Sequence, residues 1–140
     1  MTIKEGLPKT KEGLPKEAFA IVGDPEEFAM MNTPDAMDAY LALIPPDSDW
    51  PNECPARAGL TLAFYRPIGS AGRIRCPVLM VCAENDSLIP AAAVRKTAGR
   101  IKRAKLVSLP LGHFDIYSGQ PFEEVVELEG EFLREHLVNK

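Results

Sequence analysis

Residues 75–115, RCPVLMVCAENDSLIPAAAVRKTAGRIKRAKLVSLPLGHFD, constrain the fold of this chain more than any other stretch. An apolar run from Val78 to Cys82 ends abruptly at Glu84, Asn85 and Asp86. A helix-length segment opened by Pro90 follows, with Val94, Ala98 and Ile101 on one stripe. A second apolar run, Leu106 to Leu109, leads into Gly112, His113 and Phe114. The order is strand, acid-bearing loop, helix, strand, His-bearing loop. Two strands joined through a helix pair in parallel, with a right-handed connection. Loops beyond the carboxyl ends of such strands open onto one crevice. The pattern therefore predicts strands at 77–82 and 105–109 and brings Asp86 and His113 to a common rim.

An acid beside a histidine is the orienting half of a nucleophilic triad. The imidazole takes a proton from the nucleophile and returns it to the leaving group, while the carboxylate fixes the tautomer and stabilises the cation. Glu84 and Asp115 compete with Asp86 for that role. Glu84 sits at the strand's end, and Asp115 follows the histidine closely. A lone histidine after a glycine also has a purely structural reading. The nucleophile is the missing part, because none of Ser48, Ser70, Ser87, Ser108 and Ser118 has a glycine two residues away on both sides.

Cys-Pro-Val-Leu, apolar strand, acid loop, proline-led helix, strand and Gly-His-Phe together resemble the last part of an α/β-hydrolase. That family's triad runs in chain order Ser, Asp or Glu, His. The resemblance implies that Asp86 is the triad acid and His113 the triad base. Within the family it is closest to dienelactone-hydrolase-like or X-Pro-peptidase-like members. It further implies a partial α/β-hydrolase fold: a short parallel sheet with flanking helices and, over residues 18–72, a helical lid. The G-x-S-x-G elbow, the preceding strands and the oxyanion-hole loop of that family have no counterpart in these residues.

Three regions are expected: an N-terminal repeat segment (1–17), the lid-like region (18–72) and the hydrolase-core portion (73–140). KEGLPKT at 4–10 is followed by KEGLPKE at 11–17, a tandem repeat whose Gly-Leu-Pro units break any helix. It reads as a tolerant tail or a docking arm. Phe19 to Val22 form a strand-like run. Asp24, Pro25, Glu26 and Glu27 carry the signals of a helix start, which predicts a helix reaching Met31. Met37, Tyr40, Leu41 and Ile44 fall on one helical face, and a third helix is expected from Glu53 to Tyr65. Met31, Trp50, Phe64 and Tyr65 are candidates to line an apolar substrate pocket, with packing of the lid as the plainer alternative. A last helix opened by Pro121 carries Phe122, Val125, Val126, Phe132, Leu133 and Leu137, a broad face suited to covering the sheet.

Composition removes several classes. A net charge of -4 argues against nucleic acid as a partner, and the basic cluster from Arg95 to Lys105 reads as a solvated face. No apolar run reaches the roughly 18 residues of a membrane span, and the start lacks a signal-peptide core, so a cytoplasmic location is expected. Three cysteines, Cys54, Cys76 and Cys82, without C-x-x-C spacing favour neither a disulfide framework nor zinc. No metal or cofactor is expected. Two functional readings follow: a fragment supplying the Asp/His half of a triad for ester or acyl hydrolysis, or a non-catalytic remnant that binds a ligand or protein. A truncated product with no separate role is a third. An apolar parallel strand with one unpaired edge attracts another chain, so the expected partner is a second copy or a separate chain carrying the first half of the fold.

Overall fold

A computed structural model describes residues 18–138, so the KEGLPK repeat lies outside the described residues. The chain divides into two compact units, one ending at Tyr65 and the other beginning at Arg66.

The first unit contains β1 (Ala18–Val22), β2 (Ala29–Met31), α1 (Ala36–Ala42), β3 (Cys54–Pro55) and α2 (Ala56–Phe64). β1 is the central strand of a three-stranded sheet, parallel to β2 and antiparallel to β3. Ala20 and Val22 are buried, and Ala36 and Leu41 of α1 are buried with them. Asn52 is buried too, and it binds β1 from the side. Its Oδ1 accepts the amides of Ile21 (3.0 Å) and Val22 (2.9 Å), and its Nδ2 donates to the Val22 carbonyl at 2.6 Å. A buried amide is tolerated only when bonded in this way.

The helix expected from Asp24 to Met31 does not form. The Glu27 amide donates to the Asp24 carbonyl at 2.8 Å, and the Glu27 carboxylate accepts the Asp24 amide at 3.1 Å. The capping signals are thereby satisfied within a single turn. The chain then extends into β2, where Ala29 lies opposite Ala20 and Met31 opposite Val22. β2 retraces so little of β1 that a short turn suffices to return the chain in parallel. Gly23 makes that turn possible, since a Cβ there would stand 2.9 Å from the Ala29 Cβ. Region 18–65 is thus mixed strand and helix, not a wholly helical segment.

The second unit begins with two 3-10 turns (Pro67–Gly69, Ala71–Arg73) and continues through β4 (Val78–Ala83), α3 (Ala91–Ala98) and β5 (Ala104–Leu109). A 3-10 turn, Asp115–Tyr117, then precedes α4 (Gly119–Leu133), which ends in a wider helical turn, Arg134–Val138. β4 and β5 pair in parallel, in register from Val78 opposite Ala104 to Ala83 opposite Leu109. Cys82, Ala98 and Ile101 form the buried centre of this strand–helix–strand unit. Gly119 starts α4 with φ +64°, a conformation that costs glycine least. α4 departs from expectation in its packing. Val125 is buried, but Phe122, Val126, Leu133 and Leu137 are exposed. The broad apolar face therefore does not lie wholly on the sheet.

Candidate functional site

The site is built where β4 and β5 end. Hydrogen bonding between the two segments continues past the last paired residues. The Glu84 amide donates to the Leu109 carbonyl at 2.8 Å, and the Asn85 amide to the Leu111 carbonyl at 3.0 Å. Pro110 has no N–H to offer, and the chain tightens around it through a bond from the Leu111 amide to the Leu109 carbonyl at 2.8 Å. The acid loop and the His loop leave the sheet tied together.

Asp86 and His113 meet between these loops. His113 Nδ1 lies 2.9 Å from Asp86 Oδ2. The Asp86 side chain is 10% exposed and that of His113 23%. The other carboxylate oxygen of Asp86 accepts the amides of Leu88 (2.8 Å) and Ile89 (2.7 Å). Both oxygens are therefore fixed, one by its own turn and one by the imidazole. Burial works to raise the Asp86 pKa. The Ile89 amide, the His113 side chain and the Leu88 amide outweigh it, and the group titrates below its ordinary value. An ionised Asp86 accepts the Nδ1 proton of neutral His113, which leaves Nε2 as the basic nitrogen. The imidazole packs edge-on against Phe114 (ring centroids 4.9 Å) and Tyr117 (6.5 Å). Phe114 is buried and Tyr117 half exposed.

The two competing acids are engaged elsewhere. Glu84 receives Arg95 Nη1 at 2.6 Å and 2.7 Å, and the Arg95 guanidinium, aided by Ser108, lowers its pKa. Asp115 Oδ2 accepts the Gly112 amide at 2.7 Å and so closes the turn that carries His113. Asp86 alone of the three is bonded to the histidine.

The four candidate pocket residues lie in the first unit. Met31 is half-buried in β2, opposite Val22. Trp50 stacks on Tyr40, with ring centroids 5.2 Å apart. Phe64 ends α2 and Tyr65 follows it, 86% and 66% exposed. Sequence reasoning missed Asn52 and underrated Asn85. No local signal marks Asn52, whose partners lie about thirty positions away in the chain. Asn85 was legible only as part of a polar cluster.

Among the described residues, no cluster of three or more His, Cys, Asp or Glu is arranged to hold a metal ion. His136 is bonded through Nδ1 to the Phe132 carbonyl at 2.9 Å. No described helix is long and apolar enough to cross a membrane.

No protein-family model matches the chain. It is 38% identical over 106 residues to the quorum-quenching protein AidA of Acinetobacter baumannii, covering 76% of this chain and 35% of that protein. An Escherichia coli protein, described as an uncharacterized 31.7 kDa protein in the traX-finO intergenic region, is 32% identical over 76 residues, 52% of this chain and 27% of that one. The chain thus spans about a third of the length of the curated relatives it matches. Among solved structures, DcsB, determined in complex with its substrate analogue, superposes with a TM-score of 0.68 at 23% identity, over 89% of this chain and 44% of DcsB. A hydrolase from Pseudomonas aeruginosa PA01 gives a TM-score of 0.44 at 24% identity over 56% of this chain and 28% of that one. The DcsB superposition gives the chain a fold shared with part of a larger protein. With its mixture of helices and small sheets, the chain falls in the α/β class.

Proposed function

We propose that this chain supplies the acid and base of a hydrolytic triad, with Asp86 orienting His113 and His113 Nε2 acting on a nucleophile that residues 1–140 do not contain. The observation that carries this reading is the 2.9 Å contact between His113 Nδ1 and Asp86 Oδ2 at the ends of adjacent parallel strands. In the first step His113 takes the proton of a serine hydroxyl as its oxygen attacks an acyl carbon, and Asp86 stabilises the resulting imidazolium. His113 then returns the proton to the leaving group, and a water attacks the acyl-enzyme by the same route. The substrate class is a small ester, thioester or amide. The name of the 38% identical relative, a quorum-quenching protein, makes quorum-sensing signals the first compounds to assay.

The serine comes from a strand–G-x-S-x-G–helix segment, either in a longer polypeptide of which these residues are a part or in a separate chain. β4 is paired only to β5 among the described residues, and β5 carries the exposed Leu106. Parallel sheets are ordinarily covered on both faces, so further strands and helices suit this unit. A second copy would use the same open edge and make a homodimer.

Labelling with a fluorophosphonate probe tests the reading. Residues 1–140 alone are expected to remain unlabelled. The complete assembly isolated from its native source is expected to label on serine, and to lose labelling when His113 is replaced by Ala. Stoichiometric labelling of residues 1–140 alone, or unchanged labelling after His113→Ala, overturns it. The alternative, a non-catalytic binding module, draws on the exposed stripe of Phe122, Val126 and Leu133 on α4 and Leu137 in the turn after it. Sedimentation of the folded chain as a monomer at micromolar concentration would count against the homodimer.

A further inference from the structure

We infer that Asn85 is a positioning residue for His113, holding the His loop at the height where the imidazole meets Asp86. The inference rests on the Asp86–His113 pairing and adds a residue acting through it. Asn85 uses its backbone and its side chain on two successive carbonyls of the opposite loop. Its amide donates to Leu111 O at 3.0 Å and its Nδ2 donates to Pro110 O at 3.1 Å. In a regular parallel ladder each strand offers alternate N–H groups to its neighbour. Here Pro110 interrupts β5's continuation and the tight turn from Leu109 to Leu111 lifts the chain out of register. The Asn85 carboxamide supplies a donor that the backbone pattern does not provide at that point.

The placement of this bond gives it its consequence. Asn85 immediately precedes Asp86, and Leu111 is two residues before His113. The clamp therefore couples the two residues whose contact defines the site, with little intervening chain to absorb a displacement. On the far side of the histidine, Asp115 closes the turn by accepting the Gly112 amide, so the segment carrying His113 is held at both ends. An aspartate at position 85 would keep the shape but turn a carboxylate oxygen toward the Pro110 carbonyl. The clamp thus requires a donor and not merely a side chain of that size.

Solvent exchange of the His113 Nδ1 proton, followed by NMR in residues 1–140, reads the opening of the Asp86–His113 bond directly. Loss of one exposed hydrogen bond, at a central value of ~1 kcal/mol, corresponds to about a fivefold change in an opening equilibrium. Asn85→Ala and Asn85→Asp are each expected to speed that exchange about fivefold or more, and to speed exchange of the amide at position 85 in step. Ile101→Val serves as the stability control, since it trims the buried core just before the start of β5, away from both loops, and is expected to leave the imidazole proton unchanged. A protected Nδ1 proton that Asp86→Asn abolishes but Asn85→Ala leaves untouched would overturn the inference while sparing the Asp86–His113 reading. Absence of a protected proton in the unsubstituted chain would overturn both.

Discussion

Asn52 in the first unit and His113 in the second are each held against backbone or carboxylate by short hydrogen bonds, yet they use their capacity differently. Asn52 is 4% exposed and both lone pairs of its Oδ1, together with one Nδ2 proton, go to the backbone of β1. Its chemistry is used up in holding the sheet. His113 gives Nδ1 to Asp86 and keeps a second ring nitrogen outside that bond, with its side chain 23% exposed. Asp86 has both oxygens committed and titrates low, so it remains ionised when the imidazole is neutral. The difference teaches where to look for reactivity in a chain this size: a polar group whose bonds all end on backbone is structural, and one left half-used at a loop rim can act on something else.

Four substitutions or conditions break or sharpen that contrast. The largest effect is expected from Asp86→Asn in the complete assembly, where the wrong histidine tautomer would lower kcat by about 10⁴-fold. An activity loss under tenfold would place Asp86 among the structural residues with Asn52. Next in size is Asn52→Ala, which strands the amides of Ile21 and Val22 and the Val22 carbonyl in a buried setting. Urea unfolding followed by Trp50 fluorescence is expected to show a loss of ~2–4 kcal/mol, from a penalty of about 1–3 kcal/mol per stranded group partly relieved by water. A loss below about 0.5 kcal/mol would remove Asn52's structural role.

A smaller effect concerns acid. Asp86 titrates lower folded than unfolded, so as pH falls the unfolded chain takes up its proton first. The stability Asp86 contributes is present above the ordinary carboxylate value, about 3.9, and disappears as pH drops through its own lower folded value. The gap in thermal stability between the unsubstituted chain and Asp86→Asn should therefore be open above about pH 4 and close below it. A gap that persists undiminished well below about pH 4 would contradict the bonding described for this carboxylate. Glu84 shifts in the same direction, and the comparison with Asp86→Asn cancels its share. The smallest effect is expected from Arg95→Gln, which breaks an exposed ion pair with Glu84. The urea midpoint should stay close to that of the parent, and a large drop would mean that this surface pair holds the acid loop in place.

What the sequence revealed follows the range of the forces involved. β4, α3 and β5 were legible because their signals are local: an apolar run ending in a polar cluster, a proline before a helix, and the stripe of Val94, Ala98 and Ile101. The strand order then placed Asp86 and His113 at one rim, where they meet. The helix expected at Asp24 failed because a turn closed by Asp24 and Glu27 satisfies the same capping groups as a helix start, and only pairing with β1 decides between them. Asn52 was invisible because its partners lie about thirty residues away. For α4, periodicity identified an apolar stripe but not what that stripe faces, and Phe122, Val126 and Leu133 turn out exposed. The absence of a G-x-S-x-G pattern is read from the sequence directly, since no serine in these residues stands between paired glycines.

The account depends most on the bond between the acid loop and the imidazole, and nitrogen-15 NMR of His113 at pH 8, above the ordinary imidazole range near 6.5, reports on it most directly. A protonated Nδ1 and a bare Nε2, converting toward the opposite tautomer on Asp86→Asn, is the predicted result. A proton resident on Nε2 in the unsubstituted chain, indifferent to Asp86, would contradict it.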